Sequence, residues 1–242
     1  MAALRFAISF LTCLPWFGAA RGAVEPARAL GWFPAVGLAL GCAQFGLALL
    51  LRGWMSDTTL SVLLVAALAA LTGGLHLDGV ADVFDALGGA RGDKDRALAI
   101  MRDSRIGAHG ATALCLVLLG KVTALADVLA RGGLRDVWLA PAVARFCVVA
   151  LVLLFPYARA EGLGASFHNG ARCGDLVLAA LLLTAGVLLI DPRALGAALA
   201  AFVAAFALAT HARKRFGGLT GDVYGAAIEL AELTFLLTAA RW

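Results

Sequence analysis

The chain has 242 residues, 62% hydrophobic and only 15% charged, where ordinary soluble proteins carry about 25% charge. With a mean hydropathy of +0.91, that balance excludes a soluble domain and reads as an all-α, polytopic helical membrane protein. The net charge of +4 is spread along the chain rather than gathered in one stripe, which argues against nucleic acid as a partner.

The N-terminus opens with Arg5 ahead of the apolar run FAISFLTCLPWF. Pro15 breaks this run and no A-x-A cleavage site follows, so it reads as a retained interfacial or re-entrant segment. Apolar runs near the span length of about 20 residues follow at 33–51, 60–75, 111–126, 137–155, 176–190, 194–209 and 223–240. They predict about seven transmembrane helices in one integral membrane domain, residues 1–242. Asp191-Pro192-Arg193 marks a tight turn between the fifth and sixth runs, because proline cannot continue the helix before it. The abundant glycine and alanine suit close helix packing, within one chain or between copies in a homo-oligomer. Cys13, Cys42, Cys115, Cys147 and Cys173 form no CxxC pair and read as small core hydrophobes.

Basic residues in alternate loops test this segmentation. The loops on the N-terminal side carry Arg5, Arg21, Arg28, Arg91, Lys94, Arg96, Arg102, Arg105, Arg159, Arg172, Arg213, Lys214 and Arg215. The opposite loops carry Arg52, Arg131, Arg135, Arg193 and Arg241, while Lys121 and Arg145 fall inside spans. The asymmetry predicts a cytoplasmic N-terminus.

Three motifs carry chemistry, and that topology places all of them on the cytoplasmic side. In HLDGVADVFDA (residues 76–86), Asp78, Asp82 and Asp85 share one helical face at i, i+4, i+7. Like charges so placed repel one another unless a cation holds them, and carboxylate oxygens suit Mg²⁺, Mn²⁺ or Ca²⁺. Gly79 keeps the surface small enough for a ligand to approach. In MRDSRIGAHG (residues 101–110), Arg102 and Arg105 flank Asp103. Arginine forks grip phosphate oxygens, and Asp103 is placed to join the metal set or to orient an arginine. In GGLTGDVYGAAIELAEL (residues 217–233), Asp222, Glu229 and Glu232 fall on one face about 80° wide. Buried carboxylates in an apolar span read as functional groups or as structural ionic contacts with Lys121 or Arg145. Arg159, in the loop PYARAEGLGASFHNG, is a candidate contact for an anionic substrate. Metal-binding acids beside arginines suit phosphoryl transfer. An ion-coupled transporter using Glu229 and Glu232 is a second reading, and a CDP-alcohol phosphotransferase, whose full motif spacing is missing here, a third.

The stretches FLTCLPW, GWFPAVGLALG, TGGLHLDGVADVFDALGG, ALAIMRDSRIGAHG, PYARAEGLGASF and TGDVYGAAIELAE run in order over essentially the whole chain. Together they resemble the cobalamin (5′-phosphate) synthase family, the adenosylcobinamide-GDP ribazoletransferases. The departures are Cys13, where many members carry a basic residue, and Ala86, where glycine is common. The resemblance implies a Mg²⁺-dependent enzyme of the bacterial inner membrane with its active site on the cytoplasmic side and lipid around it. Its substrates would be adenosylcobinamide-GDP and α-ribazole or α-ribazole 5′-phosphate. On that basis Asp78, Asp82, Asp85 and Asp103 are expected at the metal, with Asp222 a further candidate. Arg102, Arg105, Arg159 and Gly79 are expected at substrate. Asp82, Glu229 and Asp222 are expected to be catalytic, one of the last two as general base.

Overall fold

A computed structural model describes residues 2–14 and 25–241. The described residues form eleven α-helices: α1 (Ala2–Leu11), α2 (Phe33–Leu51), α3 (Asp57–Thr72), α4 (Leu75–Gly89), α5 (Lys94–Ile100), α6 (Ala108–Ala130), α7 (Leu134–Leu154), α8 (Leu163–Gly170), α9 (Cys173–Ile190), α10 (Leu195–Phe216) and α11 (Gly221–Ala239). Five are long and apolar enough to cross a membrane, α2 with its leading 3-10 turn, α6, α7, α9 and α10, or six if the bent pair α3–α4 is one span.

The sequence predicts about seven spans, and the difference has two sources. The run at 60–75 becomes the 16-residue α3, which is short for a bilayer and breaks at Gly73-Gly74. The run at 223–240 does form a helix, α11, but Asp222, Glu229 and Glu232 make it less apolar than a lipid-facing span, and it is buried along most of its length. The apolar N-terminal segment is the short helix α1; its Pro15 break lies outside the described residues.

At the α3–α4 junction both glycines adopt left-handed backbone, φ 63° and 70°, which only glycine takes without strain. The chain turns through 92° there. α7 is the most enclosed spanning helix and packs on α2, α9, α10 and α11. A Cβ on Gly41 of α2 would stand 1.9 Å from the Trp138 carbonyl oxygen of α7, so the α2–α7 contact exists only because that surface is bare. Loops segregate to two ends. At one end Arg52 Nη2 donates to the Leu129 carbonyl at 3.4 Å, and the 131–136 and 191–193 turns meet around one cavity. At the other end, two backbone hydrogen bonds join the 156–158 and 219 segments. The first two chemical motifs and the start of the third, with Asp222, fall at this second end.

Candidate active site

The site is assembled by α4, the loop before α6, the loop after α7, and the start of α11. Gly79 faces α11 so closely that a Cβ there would lie 2.5 Å from the Asp222 carbonyl oxygen. Gly79 is therefore the packing point that brings the α4 acids to Asp222, and helix α11 rather than substrate occupies its surface. Thr220 caps α11 by accepting from the Val223 N–H at 3.3 Å, leaving Asp222 in the first turn where the helix dipole favours a carboxylate. The loop after α7 is stitched to the loop before α11. The Ala158 N–H donates to the Leu219 carbonyl at 2.7 Å, and the Leu219 N–H to the Pro156 carbonyl at 2.8 Å. That pairing delivers Arg159, whose Nη2 donates to Asp222 Oδ2 at 2.9 Å, and the pair is largely shielded from solvent.

Two cavities flank the acidic edge of α4. The first, about 280 Å³, has Asp78, Arg159, Glu161, Asp222 and Tyr157 at its polar end, with Phe10, Phe33 and Phe167 at the other. The second, about 460 Å³, is lined by Asp78, Asp82, Ser104 and Arg105. Asp78 lines both and stands at the seam, with Asp82 in the second cavity only. Asp82 lies within electrostatic reach of Asp78, Asp85, Asp222 and Arg159. Among the described residues neither Asp78 nor Asp82 has a hydrogen-bonded or ion-paired side-chain partner.

The other expected metal ligands are engaged elsewhere. Asp85 accepts from the Gly107 N–H at 2.6 Å and the Gly110 N–H at 2.8 Å, one with each carboxylate oxygen. It closes over the start of α6 and holds the end of the 102–107 loop, satisfying backbone donors that the helix leaves free. A Cβ on Gly107 or Gly110 would strike this carboxylate at 2.4 Å. Asp103 is gripped by Arg105, with Nη2 to Oδ2 at 2.6 Å and Nε to Oδ1 at 3.0 Å. That guanidinium pulls the exposed Asp103 carboxyl down to about 2. Asp103 thus orients an arginine. Arg102 stands exposed at the end of α5.

Glu229 lines neither cavity. It and Glu232 accept from Lys121 Nζ at 2.7 and 2.6 Å, and Arg145 Nη1 donates to Glu232. All four side chains are buried, so the structural alternative for these acids is the one realised. A general base must reach the reacting hydroxyl, and Glu229 instead ties α11 to α6.

No group of three or more His, Cys, Asp or Glu side chains among the described residues converges as a ready-made metal cage. Mg²⁺ does not need one: it commonly uses one or two carboxylates, several waters and substrate phosphates. The unpartnered pair Asp78 and Asp82 beside Arg105 fits that pattern.

Sequence reasoning missed Tyr157, Tyr224 and the phenylalanines. The chain has only 2 tyrosines, and both sit in the first cavity wall, rings stacked at 6.3 Å. Their rarity was a usable signal.

A family model described as cobalamin-5-phosphate synthase matches residues 3–240. The chain belongs to the cobalamin-5-phosphate synthase family. It is 42% identical over 217 residues to an adenosylcobinamide-GDP ribazoletransferase of Klebsiella pneumoniae, covering 87% of this chain and 86% of that protein. It is 41% identical over 216 residues to an Escherichia coli protein of the same name, again covering 87% and 86%. No solved structure matches the chain.

The substitution Asp85→Asn separates the clasp from a role in metal binding. Asp85→Asn keeps the shape but replaces one acceptor with a donor facing a backbone N–H. The expected result is a roughly tenfold fall in turnover with no change in any divalent-metal dependence, measured by metal titration. A shifted activation constant would return Asp85 to the metal.

Proposed function

We propose that the chain is an adenosylcobinamide-GDP ribazoletransferase, joining the cobinamide-phosphoryl group of adenosylcobinamide-GDP to a ribose hydroxyl of α-ribazole or its 5′-phosphate and releasing GMP. The observation that carries this reading is the seam. Asp78, without a side-chain partner among the described residues, lines two cavities, one shared with Asp82 beside Arg105 and the other beside the Arg159–Asp222 pair. A two-substrate phosphoryl transfer needs such an arrangement, with donor and acceptor meeting at a charge-stabilising edge.

In the reaction, an oxygen–phosphorus bond forms between the ribose hydroxyl and the phosphorus bearing cobinamide. The pyrophosphate bridge breaks, and GMP leaves with the bridging oxygen. Asp222 takes the hydroxyl proton, and Arg159 fixes its orientation. Arg105, aligned by Asp103, binds the anionic pyrophosphate oxygens. Asp78 and Asp82 would hold Mg²⁺, which when bound offsets negative charge on the leaving phosphate. The apolar helices seat the enzyme in a lipid bilayer, and the basic loops at the same end as the site favour the cytoplasmic face of the bacterial inner membrane.

Detergent-purified protein given adenosylcobinamide-GDP, α-ribazole 5′-phosphate and Mg²⁺ should release GMP and form the cobalamin product. EDTA and Asp82→Ala should each abolish both. Turnover that survives EDTA would remove the metal from the mechanism. Absence of GMP from folded protein supplied with Mg²⁺ would overturn the assignment, and substrate-independent ion flux in vesicles would favour a transporter.

A further inference from the structure

The first cavity is strongly two-ended. Its polar end is the Arg159–Asp222 pair with Asp78, Glu161 and Tyr157, and its far end is built from Phe10, Phe33 and Phe167 with aliphatic neighbours. These three rings come from three helices, α1, α2 and α8, yet their centroids lie 6.0, 5.0 and 5.7 Å apart. The short helices α1 and α8 span nothing, and here they deliver Phe10 and Phe167. His76 and Tyr224 are also in the cavity wall, Tyr224 stacked on Tyr157. Both are buried, and among the described residues both ring nitrogens of His76 and the Tyr224 hydroxyl lack a hydrogen-bond partner. A buried polar group left unpaired costs stability, so these atoms point to a ligand with complementary polarity.

Two nucleoside ends compete for this space, and their chemistry separates them. Guanine carries several donors and acceptors along its edge, and phenylalanine walls would strand them. The ribazole base is a dimethylated benzimidazole, with an apolar bicyclic ring and one free ring nitrogen that accepts a hydrogen bond. A corrinoid macrocycle is far too large for about 280 Å³.

We infer that this cavity seats the acceptor nucleoside, its base among Phe10, Phe33 and Phe167, its free ring nitrogen on His76, and its ribose toward Arg159 and Asp222. The inference rests on the proposed transferase reading. It makes His76 and Phe167 determinants of acceptor specificity and assigns the donor's pyrophosphate to the second cavity beside Arg105.

The test pairs calorimetry of acceptor alone with steady-state kinetics. α-Ribazole should bind detergent-purified protein without donor, and Phe167→Ala should weaken that binding and raise the acceptor KM by roughly 10–100-fold. The donor KM should stay unchanged. In the parent protein the indole nucleoside, which lacks the accepting nitrogen, should bind about tenfold more weakly than α-ribazole. His76→Phe, which fills the space without the donor, should bind the two nucleosides equally. Retained discrimination in His76→Phe would overturn the role of His76. A donor KM that rises in Phe167→Ala while acceptor binding holds would place guanine here instead. Acceptor binding unaffected by either variant would leave the cavity to a lipid chain and overturn the inference. If α-ribazole binds as described but no GMP is released, the transferase reading fails and the nucleoside site stands.

Discussion

Asp78→Asn should lower kcat by roughly 10²–10³-fold while the protein remains folded, because Asp78 is exposed and supports no packing. The substitution keeps the shape and removes the charge. The expected loss is large because Asp78 lines both cavities and, among the described residues, has no protein partner that would compete for its oxygens. It should come with an increased Mg²⁺ requirement, measured by titrating metal against initial rate. The contrast within one motif is the sharpest part of this prediction. Asp85→Asn, three residues beyond Asp82, should lose far less and leave the metal requirement alone, since its oxygens already accept from Gly107 and Gly110. Near-normal turnover in Asp78→Asn would remove the acidic seam from catalysis.

Lys121→Met should be among the most destabilising single substitutions in the chain. Lys121 on α6, Arg145 on α7, and Glu229 and Glu232 on α11 form a buried cluster of two positive and two negative groups. Removing one charge strands an opposite one away from water, at a cost of about 3–5 kcal/mol. For a chain of this size that corresponds to a fall in Tm on the order of 10 °C, read by thermal unfolding in detergent. Adding Glu229→Gln to Lys121→Met restores neutrality and should recover much of the loss. A double variant as unstable as the single one would show that charge balance is not what holds α6 to α11. Glu229→Gln alone should lower stability without altering the metal dependence of turnover, since its carboxylate lies outside the reacting seam.

Composition alone determined that this chain is helical and membrane-bound, because lipid leaves the backbone few other ways to satisfy its hydrogen bonds. The spacing of Asp78, Asp82 and Asp85 placed them on one face correctly, because helical periodicity is a local property. Their separate fates were decided by tertiary structure. Asp85 faces the backbone donors at the start of α6, and nothing in its own helix distinguishes it from Asp78. In the same way, Glu229 and Asp222 look alike along α11. Only the packing of α6 and α7, which bring Lys121 and Arg145, makes one a structural ion pair and leaves the other beside Arg159. The 92° turn after α3 was equally out of reach. Gly73 and Gly74 permit it, but what α4 packs against is chosen by the bare surface of Gly79 against α11. Sequence limits which groups can do chemistry, whereas partnership depends on residues 22 to 111 positions away, and contacts at such separations leave no periodic trace in a single chain.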